Sequence, residues 1–122
     1  MALGRNGFVQ PVEGVTGGVP IPVVTNLNRS SFATKGVTVA VAGIANQAPS
    51  QAVPDGFSVA VEAKKTNTKN IYLGNSQANA QIRASAWILA PGDVVRLFIT
   101  NWNLMWFDAD VSNEGLSIIS ET

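Results

Sequence analysis

From Gly36 onward the apolar positions recur with a period of two. Val37, Val39 and Val41 alternate with Thr38 and Ala40. After a small-residue and proline stretch over 46–54, closed by Pro54-Asp55-Gly56, the residues Phe57, Val59, Val61 and Ala63 alternate with Ser58, Ala60 and Glu62. One apolar and one mixed face predict a half-buried strand. In 70–74, Ile71 and Leu73 share a face and Tyr72 takes the other. A short run at 86–89 ends in Pro91-Gly92-Asp93, and 94–100 follows, apolar on both faces apart from Arg96. That composition predicts a central strand covered on both sides. Asn101-Trp102-Asn103 reads as a turn before a strand over 104–108, and Gly115 opens a last strand in which Leu116 and Ile118 alternate with Ser117. Helix is nearly absent from the pattern; only 76–83 could form a turn or two, and it lacks an apolar stripe. Short strands at intervals of about ten residues, joined by Gly, Pro, Asn and Asp, predict an all-β fold, an antiparallel β-sandwich or a jelly-roll-like barrel.

The first 35 residues follow no such period. They hold Gly4, Gly7, Gly14, Gly17 and Gly18 with Pro11, Pro20 and Pro22, which neither propagate a helix nor fill a core. They also hold Phe8, Val9, Val12, Val15, Val19, Ile21, Val23 and Val24, too many apolar side chains for an ordinary solvated tail. The expected organisation is an extended N-terminal arm over 1–35 and a β-sandwich domain over 36–122. Two readings of the arm stay open: a segment ordered against a neighbour, or an edge strand near 21–25 packed on the chain's own sheet.

Composition narrows the chemistry. A chain of 122 residues fits one domain, which would bury roughly two thirds of its unfolded surface. With no cysteine, disulfides and thiolate metal sites are excluded. With no histidine, the usual general base, the Ser–His–Asp triad and the common zinc sites go too. Eight basic and eight acidic residues cancel, and only Lys64, Lys65 and Lys69 cluster, beside Glu62. Nucleic-acid binding needs clustered cations, so none is expected. Mean hydropathy is +0.18 with only 13% charged residues, a balance that fits a protein hiding surface against other subunits. No apolar run reaches the roughly 18 residues of a membrane helix, and no apolar stretch of a secretory signal follows Met1. No membrane partner is expected.

The remaining candidates are few. Asp108 and Asp110, with Asn113 and Glu114 nearby, are hard oxygen donors of the kind that hold Ca²⁺, and equally an ordinary polar turn. The same acids with Asp93 or Glu62 could be cast as a glycosidase pair, but nothing in the sequence predicts a cleft. Trp87, Trp102, Trp106 and Tyr72 could stack on sugar rings in a carbohydrate-binding module; the simpler role is core or subunit interface. Trp102, in a predicted turn, is expected to be the most exposed of the three. Gly14-Val15-Thr16-Gly17-Gly18 lacks the Gly-Lys-Ser/Thr ending of a phosphate loop. No catalytic, cofactor-binding or metal-ligating residue is assigned. The interface candidates are Phe8, Val9, Val12, Ile21, Val23, Trp87, Trp102 and Trp106.

Four segments in order carry a resemblance: Asn67-Thr68-Lys69-Asn70-Ile71-Tyr72-Leu73-Gly74-Asn75-Ser76; Leu89-Ala90-Pro91-Gly92-Asp93; Asn101-Trp102-Asn103-Leu104-Met105-Trp106-Phe107; and Gly115-Leu116-Ser117-Ile118-Ile119-Ser120-Glu121. Together, over about residues 55–121, the chain resembles a module of small structural virion proteins of tailed bacteriophages. The resemblance implies a capsid decoration, or cement, protein: made in the host cytoplasm, located on the capsid surface of the virion, homotrimeric, with the major capsid protein and itself as partners. A tail, baseplate or head–tail joining component is the nearest alternative. The N-terminal third departs from the pattern.

Overall fold

The computed structural model describes residues 29–122, and it is a sandwich of two four-stranded antiparallel sheets. In chain order the strands are β1 (Phe32–Thr38), β2 (Asn46–Gln47), β3 (Val59–Ala63), β4 (Ile71–Gly74), β5 (Trp87–Leu89), β6 (Val94–Leu97), β7 (Trp106–Ala109) and β8 (Gly115–Glu121). A short helix α1 (Gln77–Gln81) follows β4, and a 3-10 turn (Trp102–Leu104) precedes β7. The first sheet runs β1-β8-β3-β6 and the second β2-β7-β4-β5. The sheets do not close into a barrel. The expected arm residues Phe8, Val9, Val12, Ile21 and Val23 lie outside the described residues. Strand β1 runs through the division expected at residue 36, because residues 32–38 pair without a break against 115–121.

Strand alternation builds the interior. Val59, Val61 and Ala63 of β3 lie fully buried, with Leu116 and Ile118 of β8 beside them. From the other sheet Ile71 and Leu73 of β4, Leu89 of β5, and Phe107 and Ala109 of β7 face them. Strand β3 buries alternate side chains, as packing one sheet face on another requires, while β4 and β7 each bury three residues of four.

Turn chemistry sets the crossings. Ala90-Pro91-Gly92-Asp93 is a turn with Pro in second place and Gly92 at φ 89°, closed by Asp93 N–H donating to Ala90 O at 2.8 Å. It carries the chain from β5 at the edge of one sheet to β6 at the edge of the other. At Gly115 the backbones touch: a Cβ there would lie 1.9 Å from the Val37 carbonyl oxygen. At Gly74 a Cβ would meet the Ala80 backbone nitrogen at 2.5 Å, so the missing side chain lets α1 lie against the end of β4.

Two expectations from the pattern are corrected. Residues 94–100 do not form a central strand: β6 covers Val94–Leu97 at a sheet edge, with Val94 58% and Phe98 77% exposed. Apolar residues on both faces mark coverage only when neighbours exist on both sides, and a single strand's sequence does not carry that. Trp102 is not exposed; it is 3% accessible inside the core, and its indole N–H donates to the buried Ser120 hydroxyl at 2.9 Å. The turn that holds it is capped by Asn101, whose side-chain oxygen accepts from the N–H groups of Asn103 and Gln51. This tight turn points the ring inward, and the one polar atom of the indole finds a partner there.

Ser120→Ala should leave the indole N–H buried and unpaired and lower stability by about 1–3 kcal/mol, read as a shift in the urea midpoint at unchanged slope. Gly115→Ala should cost at least about 2 kcal/mol, because the obstacle is backbone and not a movable side chain.

Candidate interaction surfaces

The two outer faces of the sandwich are treated differently. On the β2-β7-β4-β5 sheet, α1 and the segment after it cover the outer face. Ser76 caps α1 by accepting from Asn79 N–H at 3.2 Å. Arg83 then lays its guanidinium over the Tyr72 ring, 3.7 Å from the centroid. It pairs with Asp108 Oδ2 at 3.0 Å and with Asp110 Oδ1 at 3.3 Å. Asp108 is 1% exposed and its Oδ1 also accepts from the N–H groups of Gly43 and Ala109, so the buried charge is fully used. The Tyr72 hydroxyl donates to Asp110 Oδ2 at 2.7 Å. That hydrogen bond is the main cause pushing the Tyr72 phenol above its ordinary value; burial and the Asp110 charge act the same way.

These contacts dispose of the acidic residues singled out in the sequence. Asp108 and Asp110 do project to one side, and Arg83 sits between them. Glu114 is elsewhere, accepting from the Thr68 hydroxyl at 2.7 Å and from the N–H groups of Thr68 and Lys69, and the Thr68 hydroxyl is the main cause holding its carboxyl below the usual range. Asp93 accepts from Ala90 N–H within the β5–β6 turn. Glu62 lies on the outer face of the other sheet, paired in register with Ser117 and Val94. Among the described residues no three acidic side chains gather around one point. The acids are structural partners of cations, hydroxyls and amides. Arg83, which organises two of them, lies outside every pattern the sequence offers; only its position after a Ser-capped turn hints at it.

Among the described residues nothing covers the outer face of the β1-β8-β3-β6 sheet in this way. Register places Phe32 beside Glu121, and Ile119 between Thr34 and Ala60. Ala60 in turn pairs with Arg96, flanked by Val94 and Phe98. Phe32 is 64% exposed and Ile119 46%. Among the described residues, large apolar side chains are therefore exposed on β1, β8 and β6 and just after β6, with the partly buried Ala60 of β3 between them.

A second apolar feature lies at the side of the sandwich where, among the described residues, β5 and β6 are the sheet edges. An open groove of about 770 Å³ runs between them, lined by Leu73, Trp87, Val95, Leu97, Ile99 and Leu104. Trp87 pairs with Leu73 and so belongs to the inner face, yet it is 64% exposed, because the sheets do not meet there. Of the three tryptophans, then, Trp87 is the exposed one. Trp102 is core, which removes it from any interface or sugar platform. Trp106 is half-buried on the covered outer face, opposite Gly74 and Gln47. Among the described residues no helix is long and apolar enough to cross a membrane.

The chain has one tyrosine, so tyrosinate absorbance reports Tyr72 alone. Its midpoint should lie above 10, and Asp110→Asn should bring it down toward that value. Since the folded state holds the proton more tightly than the unfolded one, this group's stabilisation is complete below pH 10 and is lost as pH rises through the folded midpoint.

Comparison with protein-family models, with curated proteins and with solved structures found no match.

Proposed function

We propose that this chain is a non-catalytic structural protein of a tailed-phage particle that binds the exterior of the assembled capsid and stabilises it. Its partners in this reading are the major capsid protein and further copies of itself in a closed oligomer. The observation that carries the proposal is the outer face of the β1-β8-β3-β6 sheet, where among the described residues Phe32, Ile119, Val94 and Phe98 are exposed while α1 and Arg83 cover the opposite outer face. Several large apolar side chains exposed on one sheet face of a folded domain mark a place where another macromolecule sits. The order of the four segments that resemble phage virion modules supplies the kind of partner.

The mechanism is thermodynamic. A protein with affinity for the assembled lattice and little for free subunits stabilises the lattice by mass action. A standard interface of roughly 1,600 Å² would suffice, with affinity set by a few well-buried apolar anchors rather than by area. Exposed aromatic Phe32 and Phe98, with Ile119 between them along the sheet, are such anchors. Zero net formal charge suits an exterior position, away from packaged DNA.

Mixed with undecorated heads, the protein should co-sediment, and light scattering should show a closed oligomer. Ile119→Lys and Phe98→Lys alter only exposed positions; each should keep the fold and weaken particle binding at least about tenfold, roughly 1.4 kcal/mol or more. Binding to isolated tails and not to heads would instead assign the surface to a tail or baseplate role. A glycan-array signal lost in Trp87→Ala would favour the carbohydrate-binding alternative, for which Trp87, Asn75 and Asn79 lie together on the groove.

A further inference from the structure

We propose that copies of this chain associate head to tail, the turn at 41–44 of one copy seating Val41 and Ile44 in the groove beside Trp87 of the next. The proposal rests on the closed oligomer put forward above, for which it supplies the contact, and does not depend on the capsid.

The turn lies where β1 hands the chain to β2, and no charged residue occurs from Gly36 to Pro54. Val41 is 53% and Ile44 55% exposed, at the two ends of a turn closed by Ile44 N–H donating to Val41 O at 3.1 Å. Val111, in the adjoining β7–β8 turn, is exposed as well. These side chains stand on a fixed backbone. Ala42 N–H donates to Ser112 Oγ at 3.0 Å, Gly43 N–H to Asp108 Oδ1 at 2.9 Å and Ala45 N–H to Gln81 Oε1 at 2.9 Å. Gly43, at φ 91°, takes a left-handed conformation that a side chain would strain. Partners from β7, from the turn after it and from α1 thus hold the projection in one shape, so little ordering entropy is lost when it binds. A single exposed valine needs no explanation. A rigid turn with an aliphatic side chain at each end and no charge lacks the composition of a solvated turn.

The groove has matching chemistry. None of its lining residues is charged, and Trp87, Val95, Leu97, Ile99 and Leu104 make it apolar. Its volume of about 770 Å³ admits aliphatic side chains. Seating Val41 and Ile44 there removes two apolar surfaces from water together and strands no charge in the interface.

Topology selects a second copy as the occupant. Strands β1 and β2 stand at one end of the two sheet orders and β5 and β6 at the other, so turn and groove lie on opposite sides of the sandwich. The hydrogen bonds that fix the turn keep it from its own groove, and another copy presents the same turn. Because the two patches differ, the contact is heterologous, and such contacts close into a ring when the rotation between copies permits.

Two variants and their mixture test this in solution without any particle. Ile44→Asp places a charge on the projection and Trp87→Asp one in the groove, both at exposed positions. Light scattering at micromolar concentration should show an oligomer for the wild type and association at least about thirtyfold weaker for each variant alone. Mixed in equal amounts, the variants should regain one sound contact, from the projection of the Trp87→Asp chain to the groove of the Ile44→Asp chain. They should then form a heterodimer that neither makes alone, which also shows both to be folded. The chain has no cysteine, so a second measurement is clean: Ile44→Cys and Trp87→Cys, oxidised together, should link to each other in preference to themselves. Variants that keep the wild-type mass, a mixture that does not pair, or mainly self-linked products would overturn this contact and leave the oligomer standing. A wild type of single-chain mass would overturn the contact and the oligomer together, while co-sedimentation with heads would still decide the capsid reading.

Discussion

The structure depends on one constraint: two sheets must bury their inner faces on each other, and the β5–β6 crossing prevents them from closing on one side. The Pro91-Gly92 turn takes the chain directly from the edge of one sheet to the edge of the other. Two strands that are sheet edges among the described residues are thereby placed together, and the inner-face residues nearest them, Trp87, Leu97 and Ile99, line an open groove. On the rest of the interface Val59, Val61, Phe107, Leu116 and Ile118 are almost wholly removed from water. Burying each such side chain is worth about 1.5–3 kcal/mol, so this dry layer sets the fold. The groove is what it leaves unfinished.

The outer faces show how charge can serve as cover. Arg83 is anchored by Asp108 and Asp110 and spreads its guanidinium over Tyr72, so one cation shields an aromatic ring and neutralises a buried carboxylate together. A buried carboxylate without that partner would be costly, and here every contact of Asp108 is charge-assisted or to backbone N–H. Among the described residues the opposite outer face has no equivalent of Arg83 or α1. It exposes Phe32, Ile119, Val94 and Phe98 among Glu62, Arg96 and Glu121. The difference between the faces lies in the sequence of the same chain, so the general shortage of polar surface on small proteins does not account for it.

The strands and turns were legible because they are local. Alternation in 57–63 and 115–120, and Pro-Gly before β6, need no knowledge of neighbours, and each stands where the pattern put it. The capped turn at Asn101 was read correctly, yet its tryptophan was placed outside. Exposure follows from where a turn points, and the partner that accepts the indole hydrogen, Ser120, is 18 residues away. The apolar run at 94–97 misled for a related reason: centre and edge of a sheet differ in what pairs beside them, which is a property of topology. Arg83 was invisible because a single cation in a polar link has no period and no motif. The candidate acids were visible, but their partners were not, so their role as structural anchors could only come from geometry.

An exposed tryptophan beside a groove invites a sugar-binding reading, and the geometry argues against it. A stacking platform presents a flat ring on an outer surface with polar groups around its rim. Trp87 instead belongs to the inner face, in register with Leu73, and its neighbours along β6 are Val95, Leu97 and Ile99. Such a lining rewards apolar side chains and offers a polar ring little but Asn75, Asn79 and Ser85 at one end. A groove that is apolar within and polar only at one end suits an apolar side chain better than a sugar ring.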